Sequence, residues 1–307
     1  MNEEMCKIFE IMWMDFPDTL RDGNYQFNDE NINNYCDGDG DVDNCKTDLD
    51  KINAACFALF EIFFKDSDSL MKHAKNNINI AAYILAWLSY ILSLKENEGI
   101  KNINGFYEKY IKDKRKYNNH IPGVYGYTSY QNLIDKYIEL ISNDIEQMSK
   151  FYAPLKSLCG MHTECNRYKS NCANCLEKAQ DFADKYNKLN GDSNNNESDS
   201  YKNVLYSLST DYNNFKKYCA ENCGDCNDTS SFPEIEAPQG SFQIFEATSS
   251  SSSIASKLIP VLLIFVAIPI FLGIAYKYSL FGFDKRLHRK YLREKVKKIK
   301  NKMNHYI

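Results

Sequence analysis

The run LIPVLLIFVAIPIFLGIAY, Leu258 to Tyr276, constrains this chain more than any other stretch. It is 19 residues long and holds no charge and no Asn, Gln, Ser or Thr. As a helix it rises about 1.5 Å per residue, so roughly 28 Å, close to the bilayer's hydrocarbon thickness of about 30 Å. Pro260 falls in the first turn, where a missing N–H costs little. Pro269 is interior and should kink the helix, which spanning helices tolerate. Lys257 and Lys277 flank the run and can reach the aqueous boundary, while Tyr276 and Tyr278 suit the interface. A buried core helix is the alternative, and it fits poorly beside the serine tract Ser249–Ser253. A single transmembrane helix over 258–276 is the expectation.

The charge divides at the same place. The chain carries 37 Lys/Arg against 41 Asp/Glu, a net −4. From Lys277 onward, 11 basic residues face only Asp284 and Glu294, a net +9, which leaves −13 on residues 1–276. Basic residues beside a span favour the cytosolic side, so the tail is expected in the cytoplasm and the N-terminal domain extracytoplasmic. All 11 cysteines precede residue 227. That segregation suits a front part in an oxidising compartment and a tail outside it. The start, MNEEMCKIFEIMWMDF, is acidic at Glu3 and Glu4 and amphipathic, unlike a cleavable secretory signal. A tail-anchored topology needs no such signal, but it strands the basic tail on the wrong side. Charge and cysteine placement favour the first orientation.

A second uncharged run, Asn76 to Leu94, is interrupted by Asn76, Asn77, Asn79, Ser89 and Ser93. Its apolar part is short for a span, so it reads as the central buried helix of a domain, with a recessed signal or second span as the alternative. Apolar residues at helical steps mark the other helices. They are Met5, Ile8, Phe9, Met12, Trp13 and Phe16; then Leu49 to Phe63 behind a Thr47 N-cap; then a short helix with Phe106, Tyr107, Tyr110 and Ile111. A long helix is expected from Ser129 to Tyr152, another around Leu176, Phe182 and Leu189, and a last around Val204, Tyr212 and Cys219. His120 to Tyr127 is a Pro/Gly turn region. No run alternates as a strand does. The fold class expected is all-α. A disulfide-stapled helical ectodomain covers 1–226, a disordered Ser/Pro-containing stalk 227–257, the transmembrane helix 258–276 and a basic helical cytoplasmic tail 277–307.

The cysteines carry what chemistry there is. CGMHTECNRYKSNCANC holds Cys159, His162, Cys165, Cys172 and Cys175, and CAENCGDC holds Cys219, Cys223 and Cys226. Cys6, Cys36, Cys45 and Cys56 complete the set. Cys172-x-x-Cys175 and Cys223-x-x-Cys226 could supply a four-thiolate zinc site. Yet 47 residues separate the two halves, against roughly 15–20 in a zinc ribbon. A CxxC oxidoreductase wants a βαβ context, which is absent. In an oxidising compartment thiols pair with one another, so all eleven are candidate disulfide cysteines and the odd count leaves at least one over. Spacing does not give the connectivity. A Cys36–Cys45 bond would close the acidic loop between them. Cys159 and Cys165 are expected at a helix junction, with Cys172 and Cys175 opening the next helix and bonded in part to Cys219, Cys223 and Cys226.

Other motifs are weaker. Asp37, Asp39 and Asp41 occupy calcium-loop positions, but Val42 stands where the turn needs Gly and Asp48 where a bidentate Glu belongs. That stretch reads as a solvated acidic loop. The five histidines, His73, His120, His162, His288 and His305, fall in no catalytic pattern. No catalytic residue, cofactor or metal is expected, and the chain reads as a non-enzyme. The basic tail faces anionic lipid before any nucleic acid, at about 1 kcal/mol per Lys/Arg near the surface.

Several stretches together resemble the Plasmodium interspersed repeat (Pir) proteins, the Yir/Bir/Cir branch of rodent malaria parasites. They are MCKIF (Met5–Phe9) with FPD (Phe16–Asp18), INAACFALFEIFF (Ile52–Phe64), YILAWLSYILSL (Tyr83–Leu94), INGFYEKYI (Ile103–Ile111) and YKYSLFGFDKRLHRKYLREKVKKIKNKM (Tyr276–Met303). The last block is the most specific, with Asp284 a departure from the expected basic or neutral residue. The resemblance implies a variant membrane antigen of a multigene family, exported to the infected red cell. It implies host interaction and immune evasion by binding a host protein ligand not yet identified, and it implies no site residues. A different reading is an intracellular membrane-anchored scaffold in parasite or host-cell membranes, without surface display. Binding residues of a displayed antigen are expected on the loops 22–46, 113–128 and 191–200.

Overall fold

The computed structural model describes residues 2–28, 32, 35–36, 45–97, 99–100, 102–137, 145–167, 173–192, 199–223 and 231–238. The expected span 258–276, its flanking Lys257 and Lys277, the tail 277–307, the Asp37–Asp41 loop, Cys172 and Cys226 lie outside the described residues. Among the described residues, no helix is long and apolar enough to cross a membrane.

The first helix, α1 (Glu3–Asp15), starts where the Asn2 side chain accepts a hydrogen bond from the Met5 N–H at 2.9 Å. Glu3 and Glu4 sit in its first turn, where the helix dipole favours acids. It buries Met5, Cys6, Ile8, Phe9 and Met12 and stops before Pro17. Thr47 caps α2 (Asp48–Phe64) through a reciprocal pair: its hydroxyl accepts from the Asp50 N–H at 3.1 Å, and its own N–H donates to Asp50 at 2.9 Å. A helix that periodicity did not mark, α3 (Ser67–Ala74), follows behind an Asp66 cap. It ends at Lys75 and Asn76, both in the left-handed region with φ 51° and 62°.

At the centre lies α4 (Ile80–Ser93), where 12 of 14 residues are buried, including Tyr83 and Trp87 at full burial. Its length corresponds to about 21 Å, well short of a bilayer. The expectation of a central buried helix therefore holds. Next come α5 (Ile103–Phe106), which runs into a single π-helical turn at Tyr107–Ile111, then α6 (Arg115–Asn118), α7 (Tyr130–Asp135) and α8 (Ile145–Ser149). The continuous helix expected from Ser129 to Tyr152 is not what forms. Ser129 caps α7, and the chain turns at Lys136–Tyr137 and again at Lys150–Phe151. Leu133, Ile134 and Tyr137 keep helical spacing into the first turn, so periodicity hid the break.

The last three helices, α9 (Tyr152–Arg167), α10 (Ala173–Asn190) and α11 (Asp199–Asn222), are long and more polar. α9 lies along α10 and also packs against α1, α4 and α11, while α4 packs against α2 and α8. Pro154 sits in the first turn of α9, where no helical partner awaits its missing N–H. The described residues contain no strand, only isolated bridges at Arg21–Asn24 and Asn97–Ile100. The all-α fold class is thus observed for these residues.

Residues 231–238 belong with the fold rather than with the expected stalk. Phe232 is buried against Phe215, the Tyr212 hydroxyl donates to the Pro233 carbonyl at 2.8 Å, and the Tyr186 hydroxyl to that of Glu236 at 3.0 Å. A Pro-containing segment with one apolar anchor has no period to read, so composition alone assigned it to a linker.

Candidate functional site

The cysteines gather on one side of the molecule because three helices bring them there. Cys6, on the buried face of α1, is bonded to Cys159 in α9, with Cα atoms 5.0 Å apart and a sequence separation of 153. Cys165, six residues further along α9, is bonded to Cys223, the residue after α11. Cys36 is bonded to Cys45, which closes the acidic loop as expected. Cys159 and Cys165 therefore do not sit at a helix junction. Both are interior to α9 and reach out to separate elements, since residues 6 apart on a helix point to different neighbours. Cys175 does open the next helix, as expected. Cys56, Cys175 and Cys219 are buried and unbonded.

Around the Cys165–Cys223 bond two more sulfurs collect. The Cys219 sulfur lies 3.7 Å from that of Cys165, and the sulfurs of Cys165, Cys219 and Cys223 all fall within 4.8 Å of one another. Cys175 joins the group through a hydrogen bond with Cys219. That bond pulls the Cys175 thiol below its ordinary pKa against the opposing effect of burial. The same bond, with burial, pushes the Cys219 thiol well up. The two cysteine clusters of the sequence thus meet in space. They do not meet as the zinc set read from the two CxxC spacings, because Cys223 is committed to a disulfide and so offers no thiolate.

His162 projects from α9 between the two bonded cysteines of that helix. It is 2% exposed, packs edge-on to Phe215 at 4.8 Å and against Tyr218 at 5.4 Å, and has no hydrogen-bond partner among the described residues. Burial drags its pKa down to about 3, so the ring is neutral. It is a packing residue. Cys56 lies in the aromatic layer of α2, where burial outweighs a hydrogen bond with Tyr117, raises its thiol to about 12 and leaves it unreactive.

A buried polar link that no sequence pattern marked joins α4 to α11. The Tyr83 hydroxyl donates to the Asp211 carboxylate at 2.6 Å, and the Asn77 amide contacts the same group at 3.4 Å. Asp211 is 2% exposed. A carboxylate at a helical position on a largely apolar face is the available signal, and polar-to-apolar counting passes over it.

Of the three loops expected to carry binding residues, only 113–128 is described throughout. Tyr117, Ile121 and Val124 are buried, and the Tyr117 hydroxyl donates to the Asn53 side chain at 2.9 Å. Gly123 has φ +75°, and a Cβ there would meet the Ser67 hydroxyl at 2.8 Å, so glycine is required. Around these anchors Asp113, Lys114, Arg115, His120 and Tyr125 face outward, with Tyr125 at 70% exposure. The loop is a fixed frame with replaceable side chains on its outer rim.

Comparison with known proteins agrees with this architecture. The family model described as Plasmodium variant antigen protein Cir/Yir/Bir matches residues 6–277. A solved structure of a Plasmodium PIR protein ectodomain is similar in fold, with a TM-score of 0.54 and 28% identity, covering 78% of this chain and 99% of that one. No curated protein matches the chain.

Proposed function

The chain belongs to the Cir/Yir/Bir family of Plasmodium variant antigens, and from that premise we propose that it is a displayed membrane antigen that binds a host protein in the service of immune evasion. In this reading the folded part faces outward from the infected red cell. The run 258–276 holds it in the lipid bilayer, Lys257 and Lys277 mark the two boundaries, and the basic tail rests on anionic lipid in the cytoplasm.

The observation that carries the proposal is the disulfide set. Cys6–Cys159 and Cys165–Cys223 join residues 153 and 58 apart in sequence, through the buried side of the helical core. Such bonds form and persist outside the reducing cytosol. An intracellular scaffold with its domain in the cytosol would have no use for them. The rim of the 113–128 loop offers a binding surface whose residues can change without disturbing Tyr117, Ile121 or Val124.

Protease treatment of intact infected cells tests the display. With tags before residue 250 and in the tail, the first signal is expected to vanish and the second to persist. Survival of the first signal would refute display at that stage and favour the intracellular scaffold.

A further inference from the structure

Four sulfurs converge where α9, α10 and α11 meet, and only two of them are bonded. We propose that Cys175 and Cys219 close as a disulfide beyond the three among the described residues when the chain folds in an oxidising compartment, tying α10 to α11 beside the bond that ties α9 to the end of α11.

The geometry pairs them. Cys219 and Cys223 are four residues apart at the end of α11 and so share a face. Across from them, α9 offers Cys165 and α10 offers Cys175, two thiols for two thiols. Cys165 takes Cys223. Cys175 and Cys219 are left as unbonded thiols near enough for each to perturb the other, both at 0% exposure, in a core where neither has water. A disulfide sets its sulfurs roughly 2.05 Å apart, so closure turns the Cys175 thiol from the Met161 carbonyl, 3.9 Å away, toward Cys219. The neighbouring Cys165–Cys223 bond means that this corner is already oxidised in the folded chain.

The oxidant is a small-molecule disulfide such as glutathione disulfide. The Cys175 thiolate attacks one of its sulfurs and releases one glutathione thiolate. The Cys219 sulfur then attacks the Cys175 sulfur of the mixed disulfide and releases the second. The two protons of the protein thiols end on the two glutathiones, and one disulfide is reduced for the one formed. Because both sulfurs are buried in the finished fold, the reaction belongs to folding, before α10 and α11 close over it.

The test is a disulfide map of the full chain, extracted in detergent with free thiols alkylated at lysis and digested without reduction. A Cys175–Cys219 peptide pair is expected alongside the other three bonds. It should persist in the Cys172→Ser, Cys226→Ser double variant. Cys175→Ser should lower the melting temperature of the unreduced protein and have much less effect once all samples are reduced. Alkylation of Cys175 and Cys219 with the other three bonds intact overturns the proposal alone. All eleven thiols alkylated overturns it together with the extracytoplasmic reading. A bond from either residue to Cys165, Cys172, Cys223 or Cys226, or stoichiometric zinc by elemental analysis, overturns it too. Surface display does not enter, so loss of the display reading in the protease experiment leaves this proposal standing.

Discussion

The layer around α4 and the corner formed by α9, α10 and α11 hold together by different means. In α4, 12 of 14 residues are buried and none is a cysteine. In α11, 10 of 24 are buried, and those include Ser207, Ser209 and Asp211. The corner carries the Cys165–Cys223 bond and the far end of Cys6–Cys159, while Cys56 in the α2 layer stays a thiol. Apolar burial contributes roughly 25 cal/mol per Å², so a helix enclosed on nearly every face needs no covalent help. α10 and α11, with fewer than half their described residues buried, have less to give, and each disulfide restores about 2–4 kcal/mol by restricting the unfolded chain. Crosslinks stand where the core thins.

Breaking the apolar layer should cost most. Trp87→Ala empties a site touching Phe16 at 5.6 Å between ring centres, and a loss of about 3–5 kcal/mol is expected in denaturant titration of the full chain. A smaller loss than that caused by removing a disulfide would overturn the contrast. Removing Cys6–Cys159 with the double substitution Cys6→Ser, Cys159→Ser should cost about 2–4 kcal/mol. Hydrogen exchange should then speed up in α1 and α9 while α4 stays protected. Equal loss of protection in α4 would mean that the two regions open as one.

Tyr83→Phe probes their seam. It strips the hydroxyl that donates to Asp211 across α4 and α11, and about 1–3 kcal/mol should be lost because the carboxylate remains buried without that partner. A neutral outcome in the same titration would show that the Tyr83 hydroxyl adds nothing to the seam.

The smallest effect is a pH dependence. Burial raises the Asp18 carboxyl, but hydrogen bonds from Lys156 and from the Tyr152 hydroxyl outweigh it and hold the group below the ordinary aspartate range. A depressed folded-state pKa means stability that is present above the unfolded value of about 3.9 and lost as pH falls through the folded one. Asp18→Asn should therefore flatten the acid end of the melting-temperature profile and leave neutral pH nearly unchanged in slope. An acid limb as steep as the wild type's would remove Asp18 from the account.

The two regions also differ in how far the sequence disclosed them. α1, α2, α4, α10 and α11 were readable because their apolar residues recur at helical steps over three turns or more, and Thr47 announced the start of α2. α3 escaped because eight residues with only Leu70 and Ala74 buried hold too little periodicity. The break at Lys136–Tyr137 escaped because the apolar pattern runs through it. Of the cysteines, Cys36–Cys45 was readable because the two flank one loop. Cys6–Cys159 was not, since pairing over 153 residues depends on how α1 docks on α9, and spacing within either helix says nothing about that. The two cysteine clusters are readable as neighbours, but which sulfurs face one another depends on how the helices dock.

The Cys6–Cys159 bond also decides how such a molecule comes apart under a protease. Any single peptide-bond nick between residues 6 and 159 leaves two pieces joined through sulfur. The severed N-terminal piece stays tethered, because Cys6 holds it to α9. Shedding its α1 and the loops behind it takes a second cut or a reductant. A nicked molecule therefore looks whole on a non-reducing gel and cut on a reducing one, and the rim of the 113–128 loop stays joined to the rest of the fold.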